Sequence, residues 1–228
     1  MTADVVKLFK SGSWTSQQDL DAVLQQAAEI DSRTLVELLD VLTNKKLAAD
    51  LRAHRLRCKA FATLAGATSD RELFSPYLKT LKSCDATLRS LLVTLLPKVN
   101  NVQEHEPLCN LLRSADESVR QAAAKVMQQV GGKTVYRVIG ELSADPAFPG
   151  RSEAIDVAAA IAGHHAVPVL ATVLRAGRPA EKTKALDVLG NRTTMAKDLP
   201  GAMTAIAGAL ADPVDVVVAA AITAFSNT

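Results

Sequence analysis

A 31-residue period in the middle of the chain constrains the fold more than any other feature of the sequence. A basic residue recurs at intervals of 31, as Arg89, Arg120, Arg151 and Lys182. Apolar columns keep the same step, and the clearest of them is Leu92, Ala123, Ala154 and Ala185. A period of this length is typical of repeat proteins, whose units are too short to bury a core alone and stack on their neighbours. The period therefore predicts one stacked array.

Apolar residues follow helical spacing along nearly the whole chain, and no segment shows sustained strand alternation. Asp31 and Asp116 precede such runs as N-cap residues, and Gly131-Gly132 stands where a helix should stop. The chain is predicted to be all-α and a single domain over residues 1–228, with an N-terminal lead-in helix near 17–29 (within 1–31) and stacked antiparallel helix pairs over 32–226. The six predicted pairs cover 32–43 with 47–66, 70–82 with 85–99, 103–114 with 116–130, 133–143 with 149–162, 165–176 with 179–190, and 199–211 with 213–226.

Two segments resemble the second helix of HEAT repeats of the short bacterial kind, also called PBS-lyase-like HEAT repeats. They are DESVRQAAAKVMQQVGG, residues 116–132, and DATLRSLLVTLLPKV, residues 85–99. The resemblance covers about residues 32–226 and implies an α-solenoid, a superhelix of stacked helix pairs. It identifies a fold and says nothing specific about function.

The resemblance also implies a ladder between repeats, in which a turn aspartate meets a helix cation. The ladder residues are Asp85, Arg89, Asp116, Arg120, Arg151 and Lys182. A cation in the first turn opposes the helix macrodipole, and an Asp at the cap offsets it. Ala147 and Arg178 stand at the acidic position of the later units, so the resemblance does not extend a continuous ladder beyond Arg151. The alternative reading is a row of cations that binds a phosphate backbone or an acidic partner.

The densest positive charge lies between Lys45 and Lys59. On a helix Arg52, Arg55 and Lys59 share one flank, here called the basic stripe, which is predicted to be exposed. The buried face beside it is predicted to contain Leu47, Leu51, Cys58 and Phe61. An acidic partner surface or a nucleic acid would bind the stripe first. The alternative is a solvated helix face, because no aromatic residues interleave with the cations for base stacking.

Other residues argue against a cofactor or a metal. His164 and His165 are adjacent, so on a helix they diverge by about 100°, and no Cys/His cluster is present. Gly131-Gly132-Lys133-Thr134 lacks the upstream glycine and the preceding strand of a phosphate loop. Cys58, Cys84 and Cys109 are scattered, as is typical of free thiols in a reducing compartment. With no secretory signal and no membrane-length apolar run, a soluble, cytoplasmic protein is expected.

We expect a non-enzymatic scaffold or regulatory module, whose curved surface binds another protein or another domain of the same polypeptide. One column of the second helices is predicted to be exposed, and its charge changes from basic to acidic along the array. A partner could be recognised by this charge pattern, which comprises Thr94, Lys125, Asp156 and Asp187. One alternative is a nucleic-acid-binding protein resembling the HEAT-like DNA alkylation glycosylases, which would need a basic cleft with aromatic residues. Another is a protein resembling the bilin lyases, which share only the repeats.

The two ends of the chain carry separate expectations. Trp14 is predicted to be a buried staple on the first pair, with an exposed binding anchor as the alternative. After Asp215 no residue is charged, and residues 216–225 are apolar on every face, which predicts a buried helix. We therefore expect either the N-terminal part of a longer protein or half of an end-to-end dimer formed through this helix.

Overall fold

The computed structural model describes residues 2–11, 14, 21, 30–160, 165–190 and 199–227, and every regular element within them is helical. The all-α prediction is thereby confirmed for these residues, whereas most of the predicted lead-in helix near 17–29 lies outside them. The chain divides into two compact units, Met1–Glu104 and His105–Thr228. None of the helices in the described ranges is both long and apolar enough to cross a bilayer.

The first unit is built from short helices joined by tight turns. Its described α-helices are α1 Thr2–Lys10, α2 Ser32–Leu42, α3 Lys45–Ala48, α4 Leu51–Gly66, α5 Phe74–Leu81 and α6 Ala86–Leu95. Helix α2 packs against α1 and α4, and α6 packs against α4 and α5. Phe61 and Tyr77 meet edge to face in the core, with ring centroids 6.0 Å apart. The core of this unit therefore lies between the paired helices, as the apolar spacing predicts.

The second unit contains two rows of helices. Its described α-helices are α7 His105–Asn110, α8 Glu117–Val130, α9 Lys133–Ser143, α10 Arg151–Ala160, α11 Ala166–Ala176, α12 Pro179–Gly190, α13 Leu199–Ala209 and α14 Asp215–Ser226. The odd-numbered helices α7 to α13 pack on one another in succession, and so do the even-numbered helices α8 to α14. Each odd helix also packs on the even helix that follows it. Like elements of neighbouring pairs thus pack on one another, and α10 also packs on α11 of the next pair.

The 31-residue columns line the inside of this second unit. Ala123, Ala154 and Ala185 are fully buried. Leu108 and Ile139 are fully buried in the opposite row. Since alanine favours the helix and adds little bulk, the even-numbered helices can approach closely.

Two predicted helices are broken where local chemistry overrides the period. The predicted helix 47–66 splits into α3 and α4, because the Asp50 carboxylate accepts bonds from the Arg52 and Ala53 amides and starts a new helix. Leu51 is consequently 68% exposed, and its predicted place on the buried face is wrong. The predicted helix 103–114 is only the short α7 flanked by two 3₁₀ turns.

Candidate interaction surface

The basic stripe lies on the outer flank of α4. The side chains of Arg52, Arg55 and Lys59 are all exposed. Asp50 is the acidic residue nearest in sequence, and its Oδ1 accepts bonds of 3.1 Å from the Arg52 and Ala53 amides. The carboxylate therefore serves the start of α4, and the exposed side chains of Arg52 and Arg55 follow it on this flank.

An exposed apolar side chain lies in line with these cations. Leu51, Arg55 and Lys59 follow one another at intervals of four residues, so they form one row along α4. Lys45 and Lys46 in α3, just before this row, are exposed as well. The surface thus combines several cations with one exposed large apolar side chain.

Arg57 belongs to the same basic segment in sequence but not in space. Its side chain is buried and donates to three backbone carbonyls: Nε to Phe9 O at 2.9 Å, Nη1 to Leu47 O at 3.1 Å and Nη2 to Ser11 O at 2.7 Å. Burial lowers the pKa of this guanidinium below its ordinary value. Arg57 therefore ties α1 and α3 to α4 and is not available to a partner.

Trp14 lies beside this guanidinium, inside the first unit. The Arg57 guanidinium carbon is 5.9 Å from the Trp14 ring centroid, and the indole Nε1 donates to Leu8 O at 2.8 Å. Phe9 meets the indole edge to face at 5.2 Å. Because Trp14 is only 3% exposed, the alternative of an exposed binding anchor is wrong.

The described contacts of the predicted ladder residues of the first unit include partners that the resemblance does not imply. His54, buried in α4, places Nε2 2.9 Å from Asp85 Oδ2, across a sequence separation of 31. Asp85 also caps α6 by accepting from the Thr87 and Leu88 amides. Arg89 donates to Cys84 O at 2.9 Å. His54, which the period does not single out, thus makes one contact between neighbouring pairs of this unit.

In the second unit the cation column reaches acids on the following even-numbered helix or the turn before it. Arg120 Nε lies 2.9 Å from Glu153 Oε1, and Arg151 Nη1 lies 2.7 Å from Glu181 Oε2. The next contact, from Lys182 Nζ to Asp212 Oδ2, is 2.6 Å long. These ion pairs continue past Arg151, where the resemblance implies no ladder. Asp116 accepts from the Ser118 amide and caps α8.

The 31-residue period does not identify the acidic partners of this ladder, because they do not occupy one common position in the repeat. Glu153 follows Arg151 by two residues, whereas Glu181 precedes Lys182 by one, and Asp212 lies in a turn. Burial pushes the pKa of Glu181 upward, but hydrogen bonds from Arg178 and Arg151 outweigh it and hold the pKa below its ordinary value. Glu181 is therefore held in its charged form at neutral pH, and the ladder side chains are engaged inside the unit.

The predicted charge column on the even-numbered helices is exposed. In the second unit it comprises Lys125, Asp156 and Asp187, and in the first unit Thr94 is exposed. Lys184 neutralises part of the acidic end, because its Nζ lies 2.7 Å from Asp156 Oδ1. The column thus carries charge of both signs. It should therefore attract a partner of a single charge less strongly than the basic stripe does.

The cysteine nearest to a base does not have the geometry of a nucleophile. Cys58 Sγ is 3.5 Å from His54 Nε2, the same nitrogen that faces Asp85. A catalytic imidazole needs one nitrogen for each partner. Burial raises the pKa of Cys58 to about 12 and that of Cys84 to about 11, and Cys109 is also buried. These thiols are protonated at neutral pH and behave as core residues.

Two open grooves are found, and each lies between the first helices of two neighbouring pairs. One, of about 450 Å³, is lined by α2 and α5 with Leu39, Pro76 and Lys79. The other, of about 320 Å³, is lined by α11 and α13 with Leu174 and Gly208. Within the described ranges, no three His, Cys, Asp or Glu side chains converge as metal ligands; His164 lies outside those ranges.

Comparison with known proteins does not identify a family for this chain. No protein-family model matches the chain, and no curated protein matches it. Among solved structures, the crystal structure of an engineered protein matches with a TM-score of 0.38 and 16% sequence identity, over 99% of this chain and 89% of that one. At this TM-score the likeness carries no argument about fold or function.

Proposed function

We propose that this chain is a non-enzymatic interaction module whose basic stripe binds an acidic segment of another protein, or of another domain of the same polypeptide. The observation that carries the proposal is the joint exposure of Arg52, Arg55 and Lys59 on one flank of α4. A patch of one sign steers an oppositely charged partner toward itself and fixes its register.

Leu51 adds a second requirement for the partner. It is 68% exposed and lies in the same row as Arg55. Covering it contributes on the order of 1–2 kcal/mol, whereas exposed ion pairs contribute little affinity each. The segment that fits is therefore acidic and carries an apolar side chain between its carboxylates.

The scaffold that presents this surface is proposed to be a HEAT-type α-solenoid. Support comes from the buried 31-residue columns and from the two rows of like helices in the second unit. The buried, protonated thiols Cys58, Cys84 and Cys109 suit a cytoplasmic location, where thiols remain reduced.

Fluorescence anisotropy with a labelled peptide of glutamates around one central leucine tests the proposal. The variant R52E/R55E/K59E is expected to bind at least about tenfold more weakly than the wild type. The matched control R71E/K82E/K133E makes the same change in net charge at three other exposed cations, and its affinity is expected to stay within about twofold. Equal binding by the wild type and the stripe variant would show that the stripe is only a solvated face.

A labelled single-stranded DNA in the same assay distinguishes a protein partner from the nucleic-acid alternative. Nucleic acid would also prefer the stripe, but stacking requires aromatic residues. The described aromatic side chains of the first unit, such as Phe61 and Tyr77, are buried. Retention of DNA with no binding of the acidic peptide would replace the protein partner by a nucleic acid.

A further inference from the structure

Large apolar side chains are exposed on both α4 and α14, but of these only Leu51 on α4 lies among cations. The predicted burial of α14 on every face is wrong, because Val216 is 55% exposed and Ile222 56%. That helix contains a single charged residue, Asp215, and offers no charge pattern that a partner could match. On α4, by contrast, a cation from another element extends the surface that begins at Leu51.

Lys98 places its ammonium group at the far end of α4. It lies in the 3₁₀ turn Leu96–Val99, whose first and last side chains are buried. Its Nζ is 3.6 Å from the position that a Cβ would take on Gly66, in the last turn of α4. Because glycine has no side chain, the ammonium lies close to the end of this helix, where the carbonyl groups and the macrodipole favour a cation.

Helical spacing places Gly66 on the same flank as the basic stripe. Gly66 follows Arg55 by 11 residues and Arg52 by 14, which is close to three and four turns of about 3.6 residues. Lys98 is itself exposed. Its ammonium group therefore continues the line of the stripe, although Lys98 follows α6 in the chain and no spacing within α4 reports it.

The positive surface thus follows the length of α4 in two groups. From Arg52 to Gly66 the helix rises by about 21 Å. The stripe occupies the first half of this length, and the Lys98 ammonium lies at its end. Between Lys59 and Gly66 the helix has no charged residue, so a neutral gap of about 10 Å separates the two groups.

We propose that the partner of the basic stripe is a two-part acidic segment, whose second acidic group binds Lys98; this inference rests on the proposed function. An acidic segment repels itself and is extended, so each residue advances by about 3.3 Å. About seven residues are needed to reach from Leu51 to Lys98, whereas three or four cover the stripe alone. An apolar side chain at one end covers Leu51 and thereby determines which end of the segment reaches Lys98.

Two labelled octapeptides with blocked ends test the second contact by fluorescence anisotropy at about 0.15 M salt, where distant charges are screened. The peptide LEEEGSGE carries the distant glutamate, and LEEEGSGQ differs from it by that one carboxylate. The wild type is expected to bind LEEEGSGE about two- to fivefold more tightly, which is the usual effect of one exposed ion pair.

Three variants assign this preference to Lys98. Lys98→Gln is expected to bind the two peptides equally, whereas Lys98→Arg keeps the charge and should keep the preference. The matched control Lys82→Gln removes another exposed cation of the first unit and should also keep it. Circular dichroism of Lys98→Gln should show the helix content of the wild type, because the side chain is exposed.

The outcomes distinguish this contact from the proposed function. If the wild type binds both peptides equally, or if Lys98→Gln keeps the preference, the second contact does not exist, although the stripe still binds its acidic segment. A wild type that binds neither peptide would overturn the proposed function and the two-part segment together.

Discussion

At the scale of single residues, the basic segment of α4 shows what a sequence pattern can and cannot distinguish. Arg55 and Arg57 are two residues apart and look alike in sequence, yet one is exposed and the other is buried. Helical spacing places them on different flanks. The residues that accept from Arg57, Phe9 and Ser11, lie about fifty positions away. No local pattern reports such a contact.

Substitutions of Arg57 and Arg55 give a prediction and its matched control. Arg57→Ala should lower the free energy of unfolding by about 3 kcal/mol or more, because three carbonyls lose a charged donor inside the unit. Arg55→Ala should stay within about 0.5 kcal/mol, as is usual for an exposed position. Urea unfolding followed by circular dichroism measures both. Equal, small effects would mean that α1 is not held by Arg57.

At the scale of elements, the sequence predicts most helices well. The predicted 116–130, 133–143 and 179–190 agree with Glu117–Val130, Lys133–Ser143 and Pro179–Gly190 within one residue. Agreement is good where a cap residue or a glycine coincides with the end of the apolar spacing, as Gly131 does with φ of 57°. It fails at Asp50, where a cap interrupts a continuous apolar pattern and makes two helices from one.

The close packing of α12 on α14 gives a prediction about two glycines. A Cβ at Gly190 would lie 2.6 Å from Ala224 Cα, whereas a Cβ at Gly208 on α13 would meet nothing within 4 Å. Gly190→Ala should therefore destabilise the protein by about 1–3 kcal/mol through overpacking. Gly208→Ala should stabilise it by about 0.5–1 kcal/mol, since alanine loses less entropy in a helix.

Thermal unfolding of the two variants beside the wild type measures this difference. The two substitutions are chemically identical, so opposite shifts in Tm can arise only from the surroundings of each glycine. A Gly190→Ala variant as stable as the wild type would mean that α12 and α14 can move apart at no cost.

At the scale of the whole molecule, the 31-residue period predicts which columns are buried but not the pairs that join the repeats. Ala123, Ala154 and Ala185 are inside as expected. The acids Glu153 and Glu181 occupy different positions relative to the cations, so a fixed step cannot find them. The basic stripe could be predicted from spacing alone, because exposure of one helix flank is a local property. Its partner is not a property of this chain, and no pattern within the chain can name it.

A stacked array and a single cooperative core predict different consequences of one broken ion pair in the second unit. In an array each repeat touches only its neighbours, so damage stays local. Arg151→Met removes the buried contact from α10 to Glu181 on α12 and should cost on the order of 3 kcal/mol. Hydrogen exchange followed by mass spectrometry should then show faster exchange in α10, α11 and α12, with little change in α8. If all helices of the unit exchange faster by the same factor, the unit opens as one body and the solenoid proposal does not hold for it.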